Sequence, residues 1–403
     1  MRHAVRPVRW VAGMAIALAT VLLVASCSGQ RHPVASNAPS AAAETGAHGG
    51  HGKPFTPPAV APLRASERFV NLKLPRPYTP SAPSGGTDEY RCFLVDPGLT
   101  GRAFLTGSQF LPQNTDIVHH AIIFRVDPGQ AKTAGKLDAS TPGEGWTCFG
   151  DAGVENGDWV GHWAPGADET LLTQKVGYPM PAGSKLIIQV HYNLLAAGGK
   201  PVGSDQSGLR LRLTDGRTDL APLITARLAA PVELPCTAEE SGPLCDREAA
   251  VRDVVHRFGD RAGSSVTELN GFCNDGRPPV AAATQHCEQK TDRPATVYAV
   301  AGHMHLLGRS IKVELNPDRP GARTLLDIPA YDFDEQAIRP LPEPVAVKAG
   351  DTLRVTCTHD AGLRKRLPAM RDLPPRYVVW GEGTSDEMCL GLLMLSPAAG
   401  TAG

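Results

Sequence analysis

The sequence predicts an all-β protein, built as two tandem antiparallel β-sandwich domains with one small helical, disulfide-stapled insertion. Three observations point there. Gly and Pro are abundant, 42 and 36 of 403 residues, while 42% of residues are hydrophobic and 20% charged, a balance suited to short strands and tight turns rather than to a helical bundle. From about residue 65 the chain runs as short apolar β segments split by Pro and Gly. The length also exceeds what one hydrophobic core usually serves, so two cores are the natural expectation.

Taken in order, the chain opens with Arg2, Arg6 and Arg9 ahead of an apolar stretch over residues 10–26, the layout of an export signal. Its end, Val24-Ala25-Ser26-Cys27, sets small residues directly before a cysteine, as a bacterial lipobox does. Residues 1–27 are then a lipoprotein signal peptide and Cys27 is the lipidated first residue of the mature chain. An ordinary cleaved signal and an uncleaved anchor are the alternatives, and each still exports the rest, so the expected location is the cell envelope, at the outer face of the cytoplasmic membrane. Residues 28–60 are mostly Ala, Gly, Ser, Pro and His; they bury too little to offset ordering entropy and read as a flexible tether.

The clearest strands follow at 103–105, 118–126, 185–193, 209–213, 297–301, 310–315, 352–357, 377–380 and 388–395. One stretch departs from this pattern. Within 246–258, Ala250, Val251, Val254, Val255 and Phe258 recur at helical spacing, which predicts one amphipathic helix. A polar run at 214–219 separates two β runs. It suggests an N-terminal domain over 61–217 and a C-terminal domain over 218–397, the latter holding an insertion at 232–292 that either caps a cleft or protects a sheet edge, with edge protection favoured.

With 40 Lys and Arg against 41 Asp and Glu, the net charge of -1 gathers no polyanion, which argues against a nucleic-acid partner. Past the N-terminus no run reaches the ~18 uncharged apolar residues of a membrane helix, so membrane contact is expected through the lipid alone. Export also changes how cysteines are read. With Cys27 set aside, Cys92, Cys148, Cys236, Cys245, Cys273, Cys287, Cys357 and Cys389 remain, an even set that suggests four disulfides in an oxidising compartment.

Chemistry concentrates in a few polar residues set in apolar β segments. In Gly302-His-Met-His-Leu-Leu-Gly308, side chains two apart on a strand share a face, so His303 and His305 can reach one ion. In Asp116-Ile-Val-His-His-Ala-Ile-Ile-Phe124, the neighbours His119 and His120 point to opposite faces of a regular strand; a shared ion requires a strand end or a bulge. His191 sits in Leu186-Ile-Ile-Gln-Val-His-Tyr-Asn193, and taken alone a single strand histidine is structural. Ser385-Asp-Glu-Met-Cys-Leu390 offers Met388, whose thioether either fills a core gap or serves as a soft ligand favouring Cu(I). A zinc hydrolase fits poorly: no His-Glu-x-x-His is present, and Met is a poor zinc ligand. His162 and His359 are expected as exposed loop histidines.

The order of these motifs decides the reading. His-His, then Gln-Val-His-Tyr, then His-x-His, then Asp-Glu-Met-Cys resembles the copper type II, ascorbate-dependent monooxygenases, the family that includes peptidylglycine α-hydroxylating monooxygenase and dopamine β-hydroxylase. Asp88-Glu-Tyr-Arg-Cys92, Trp146-Thr-Cys148, Gly350-Asp-Thr-Leu-Arg354 and Gly383-Thr-Ser-Asp-Glu-Met-Cys389 add to the likeness, which runs from about 65 to 396. The resemblance implies two jelly-roll-like domains facing each other across a solvent-filled cleft, and two coppers per chain. His119, His120 and His191 would hold a first copper that stores and delivers an electron. His303, His305 and Met388 would hold a second, where dioxygen is activated and a C–H bond of a small organic substrate is hydroxylated, with ascorbate or a similar one-electron donor as reductant. It also implies Cys92–Cys148 and Cys357–Cys389 bridges, leaving Cys236, Cys245, Cys273 and Cys287 to pair within the insertion.

Two departures bear on substrate. Val300-Ala-Gly302 and Leu390-Gly-Leu392 stand where the peptide-amidating enzyme carries an arginine and polar groups, so a carboxylate anchor is missing and an apolar or aromatic body is expected. The rival reading is a non-catalytic copper-binding envelope lipoprotein for metal handling. One methionine-containing and one all-histidine site favour catalysis over storage.

Overall fold

The computed structural model describes residues 59–398 other than 156, 174 and 218. The export signal, Cys27 and nearly all of the tether lie outside the described residues. The first part of the chain gives β1 (Glu67–Lys73), β2 (Asp88–Val95), β3 (Ala103–Leu111), β4 (Val118–Val126), β5 (Trp146–Thr147), β6 (Asp158–Trp163), β7 (Thr170–Leu171), β8 (Val176–Met180), β9 (Lys185–Asn193), β10 (Gly208–Asp215) and β11 (Ala221–Pro222). They form a sheet in the order β1-β10-β3-β8-β11, with β7 on β3, and a second sheet β5-β2-β9-β4-β6. Pairing is antiparallel apart from β11 on β8.

Inward side chains of both sheets meet in one core, with Leu105, Leu209 and Leu211 from the first sheet and Phe93, Ile123, Ile188 and Val190 from the second. The other face of the second sheet carries Ile122, Phe124, Ile187 and Trp146, covered in part by α1 (Ala131–Ser140). Covered on both faces, β4 and β9 are buried almost throughout, which is why their sequences are continuous apolar runs rather than alternating ones. Both occupy the predicted bounds.

The second part gives β12 (Ile224–Ala229), β13 (Glu233–Leu234), β14 (Thr284–Lys290), β15 (Ala295–His303), β16 (Gly308–Leu315), β17 (Arg323–Ile328), β18 (Arg339–Val347), β19 (Thr352–His359), β20 (Val378–Val379) and β21 (Leu390–Pro397). The sheet β12-β21-β15-β18 and the sheet β14-β19-β16-β17 share a core through Leu228, Val297 and Leu393 on one side and Ile311, Val313 and Val355 on the other. The all-β sandwich architecture expected from the sequence is therefore present. The predicted last strand begins two residues late, which leaves Met388 just outside β21.

The insertion holds α2 (Arg247–Phe258) and a second helix, α3 (Asp260–Cys273). Asp246 caps α2 by accepting from the Ala249 N–H at 2.8 Å. Gly259, at φ +85°, breaks the two helices in a conformation that side chains disfavour. Sequence reading finds only the first helix, because Gly263, Gly271 and two serines dilute the apolar pattern of the second, whose buried face is Ala262, Val266 and Asn270. Disulfides join Cys92 to Cys148, Cys236 to Cys245, Cys273 to Cys287 and Cys357 to Cys389. Among the described residues no helix is long and apolar enough to cross a membrane.

Candidate metal centre and adjoining cavity

The first histidine cluster is made by strand register. Pairing of β4 with β9 shifts between Val118 and His120, so His119 is an inserted residue and His120 lies directly opposite His191. The bulge turns two chain neighbours toward one point. His119 Nδ1 lies 3.1 Å from His120 Nδ1, which lies 3.3 Å from His191 Nδ1. Two nitrogens bound about 2.0–2.1 Å from one ion stand about 2.9–3.5 Å apart, so this spacing fits a shared metal.

Asp88 fixes the third ring: His191 Nε2 donates to its Oδ1 at 2.9 Å, while Tyr90 stacks on the imidazole at 4.1 Å. The lone pair of His191 is thereby directed through Nδ1. Burial holds His191 below the usual imidazole range, against the opposing pull of Asp88. Burial, then the charges of its imidazole neighbours, holds His120 well below it. Burial alone would raise the Asp88 carboxyl, but its hydrogen bonds to His191, Thr384 and Thr87 bring it below its ordinary value. Burial thus disfavours a charge on His120 and on His191.

The second cluster is made by a strand end. His303 closes β15, and His305 lies beyond it in a turn, so the expectation that both share a strand face is replaced by a different device. Tyr331 Oη accepts from the Met304 N–H at 2.9 Å and donates to the Met304 carbonyl at 2.8 Å, pinning the intervening residue. Glu387, fully buried, accepts from the backbone N–H groups of His305, Leu307 and Met388. His303 Nδ1 donates to Gln336 Oε1 at 2.6 Å and His305 Nδ1 to the Asp386 carbonyl at 3.2 Å. Both rings therefore direct Nε2 lone pairs outward, and His305 Nε2 is buried with no hydrogen-bond partner. Burial, then His305, pushes His303 down to about 3. Met388 is held from both sides, by the Cys357–Cys389 bridge and by His359 Nε2, 3.3 Å from its carbonyl. Two imidazoles in fixed orientation and a thioether make a donor set that suits copper.

The two clusters touch. The rings of His120 and His303 are 5.6 Å apart between centroids, and Phe333 stacks on His119 at 4.3 Å while meeting His305 edge-on at 6.4 Å. Tyr90 donates to the Glu382 carbonyl at 2.8 Å, and Thr384 bonds Asp88. These contacts join the two halves of the chain around the clusters. Beside the rings opens a cavity of about 390 Å³, lined by His120, His303 and Met388 together with Trp159, Leu390 and Leu392.

His162 and His359 are not exposed loop residues. His162, on β6, lines the cavity and is pushed down to about 4 by burial; His359, on β19, is 2% exposed. The insertion reaches the cavity as well as an edge: α3 lines it, while β14 pairs with β19 at the edge of its sheet. Gln336, Phe333 and Glu382 went unnoticed in the sequence because they lie in irregular segments with no periodicity.

Residues 276–400 match the family described as copper type II ascorbate-dependent monooxygenase, C-terminal domain, a span of less than half the chain that includes His303, His305 and Met388. Copper-dependent monooxygenation is the chemistry of the family to which this span is similar. Among solved structures, an allantoicase is similar at 11% identity over 73% of this chain and 78% of that one, with a TM-score of 0.16. A vicilin from Solanum lycopersicum (tomato) is similar at 7% identity over 83% of this chain and 76% of that one, with a TM-score of 0.15. Likenesses this low say nothing of function.

Proposed function

We propose that this protein is a copper-dependent monooxygenase that hydroxylates a C–H bond of a small organic substrate with dioxygen and a one-electron reductant such as ascorbate. The observation that carries the reading is the pairing of two imidazole clusters with different donor sets, one all-nitrogen and one with Met388, in ring contact beside a single cavity. His119, His120 and His191 would hold the electron-transfer copper on a domain over 61–217. His303, His305 and Met388 would hold the oxygen-activating copper on a domain over 218–397. Bound copper would supply one-electron redox steps and the reduction of dioxygen.

The chain's own residues do the positioning. Asp88 keeps the His191 lone pair on Nδ1, and Gln336 and the Asp386 carbonyl keep those of His303 and His305 on Nε2. Glu387 ties both arms of the second cluster to one carboxylate, so His305 and Met388 share a fixed frame. Phe333 and Tyr90 exclude water from around the imidazoles. Leu390, Leu392 and Trp159 give the cavity an apolar lining suited to a neutral organic body. In this reading the chain is exported and anchored through lipid on Cys27 to the outer face of the cytoplasmic membrane, with small-molecule substrate and dioxygen as its partners.

Copper counting and oxygen uptake test the proposal together. Two coppers per chain are expected, falling to one when His303 and His305 are both replaced by alanine, with ascorbate-driven oxygen uptake that needs copper. One copper or none, or two coppers with no uptake in the presence of substrate candidates, would put the metal-handling reading ahead.

A further inference from the structure

The second insertion helix forms a wall of the cavity. Ser265, Glu268, Leu269 and Phe272 fall at i, i+3, i+4 and i+7, share one face of α3, and all line the cavity beside His303 and Met388. An adjoining face is anchored: Ala262, Val266 and Asn270 are buried, and Asn270 Nδ2 donates to Glu233 Oε1 at 2.8 Å. The last residue of the helix, Cys273, is bridged to Cys287 on β14. Phe272 nevertheless stands 62% exposed while lining the cavity, a large apolar ring left partly uncovered. A helix fixed on one face and at one end presents these side chains in a set position.

Trp159, Trp380, Leu390 and Leu392 continue the apolar lining, which two carboxyls, Glu268 and Glu382, and the Arg227 guanidinium interrupt; Arg227 Nη1 donates to the Gly150 carbonyl at 3.2 Å. Glu382 is 8% exposed, and among the described residues its carboxyl makes no side-chain hydrogen bond or ion pair. Burial, then Asp386 and Asp151, pushes it up to about 7 against the pull of Arg227 and Arg261. A buried carboxyl without a partner is destabilising until a donor meets it. An anion placed beside ionised Glu382 would be repelled, whereas Asp386 and Asp151 are already paired with Arg257 and Arg261. The volume, about 390 Å³, falls toward the small end of small-molecule sites and suits a molecule of one or two rings.

We infer that the cavity takes an aromatic-sized substrate carrying one hydrogen-bond donor, accepted by Glu382, and no carboxylate, and that α3 is the wall that selects it. The inference rests on the monooxygenase reading for its chemistry, but its binding pattern is separable from turnover. Copper-loaded protein without reductant is titrated calorimetrically with 2-naphthol, 2-methoxynaphthalene and 2-naphthoate. The naphthol should bind at least about tenfold tighter than its methyl ether, and the naphthoate weakest. Glu382→Leu should bring naphthol and ether level, and Glu382→Gln, which keeps size and one acceptor oxygen, should retain part of the difference. Phe272→Ala should weaken naphthol and ether by a similar several-fold factor. Copper content and melting midpoint of each variant establish that it is folded.

A naphthoate that binds as well as the naphthol, or a naphthol advantage that survives Glu382→Leu, overturns the substrate class. Unchanged binding in Phe272→Ala overturns the role of α3. Copper-dependent oxygen uptake judges the monooxygenase reading separately: uptake without the probe ranking sinks only this inference, and the ranking without uptake sinks only the oxygenase.

Discussion

The two histidine clusters reach similar donor geometry by opposite means. The first is built inside a sheet: a bulge at His119 and the facing pair His120 and His191 gather three rings from two adjacent strands, with Asp88 and Tyr90 of β2 on the neighbouring side. The second is built where strands stop, from the last residue of β15, a turn beyond it and the residue two before β21, drawn together by Glu387 and a disulfide. Ladder hydrogen bonds hold the first, so few side chains are needed to aim it. The second depends on specific side chains at each step, and it is the one facing Leu390 and Leu392 in the cavity. A cluster at strand ends gives up the ladder's support and gains an open side.

That contrast can be broken most severely at the ligands. Met388→Ala should leave metal binding at His119, His120 and His191 intact while turnover falls by more than about a hundredfold, since even groups one shell out from a metal are worth 10–100-fold. Metal content by atomic absorption beside oxygen uptake separates the two effects. Full activity would remove Met388 from the site. His191→Ala should instead weaken the first site and slow electron delivery, seen in the reduction rate of the loaded protein.

Next in size is Glu387→Ala. Three buried backbone N–H groups lose their acceptor, and each unsatisfied group costs roughly 1–3 kcal/mol, so metal-free protein should lose at least about 3 kcal/mol in urea unfolding. Asp88→Asn, its counterpart at the first cluster, should lose much less, because asparagine still offers an acceptor to His191 and the strands keep the rings in place. Equal losses would mean that the first cluster leans on its side chains as much as the second does.

The same contrast governs what was legible in the sequence. Strands β4 and β9 are covered on both faces, so their apolar runs announce them residue by residue, while two adjacent histidines on one strand require either a strand end or a bulge, and the structure has the bulge. His303 and His305 were identifiable by spacing, though for a strand-face reason that the turn after β15 replaces. Asp88 and Glu387 stood within recognisable motifs, but what each does depends on contacts across 80 or more residues, which no local pattern encodes. Gln336 and Phe333 lie in an irregular segment whose side chains become meaningful only once the sheets are packed. Helix α3 was hidden because its buried face includes Asn270, bonded to Glu233 far along the chain, instead of a third apolar residue.

Smaller effects sharpen the comparison. Gln336→Leu removes the acceptor that fixes the His303 tautomer, so second-site copper affinity should fall roughly 10–100-fold with the first site unchanged, by competition against a chelator. A loss shared by both sites would show that their contact through His120 and His303 transmits disorder from one to the other.

The smallest effect is a pair of opposed pH slopes in the cavity wall. Glu382, from the second pair of sheets, is raised from 4.5 to about 7, by burial first and then by Asp386 and Asp151, so between those values the folded state holds a proton that the unfolded chain has released. Its contribution therefore falls as pH rises through that window. His162, from the first pair, is lowered by burial from 6.5 to about 4, so the unfolded chain binds the proton first and stability falls as pH drops from 6.5 toward 4. In metal-free protein His120, His191 and His303, all lowered by burial, tilt the curve the same way as His162, so the informative quantity is each variant's difference from the parent. Relative to the parent, metal-free Glu382→Gln should gain about 2–4 °C in melting midpoint between pH 5 and pH 7, and His162→Phe should gain a similar amount between pH 7 and pH 5. A Glu382→Gln difference that stays flat between pH 5 and pH 7 would mean that Glu382 is ionised across that range, and that the cavity's carboxyl already has a partner other than substrate.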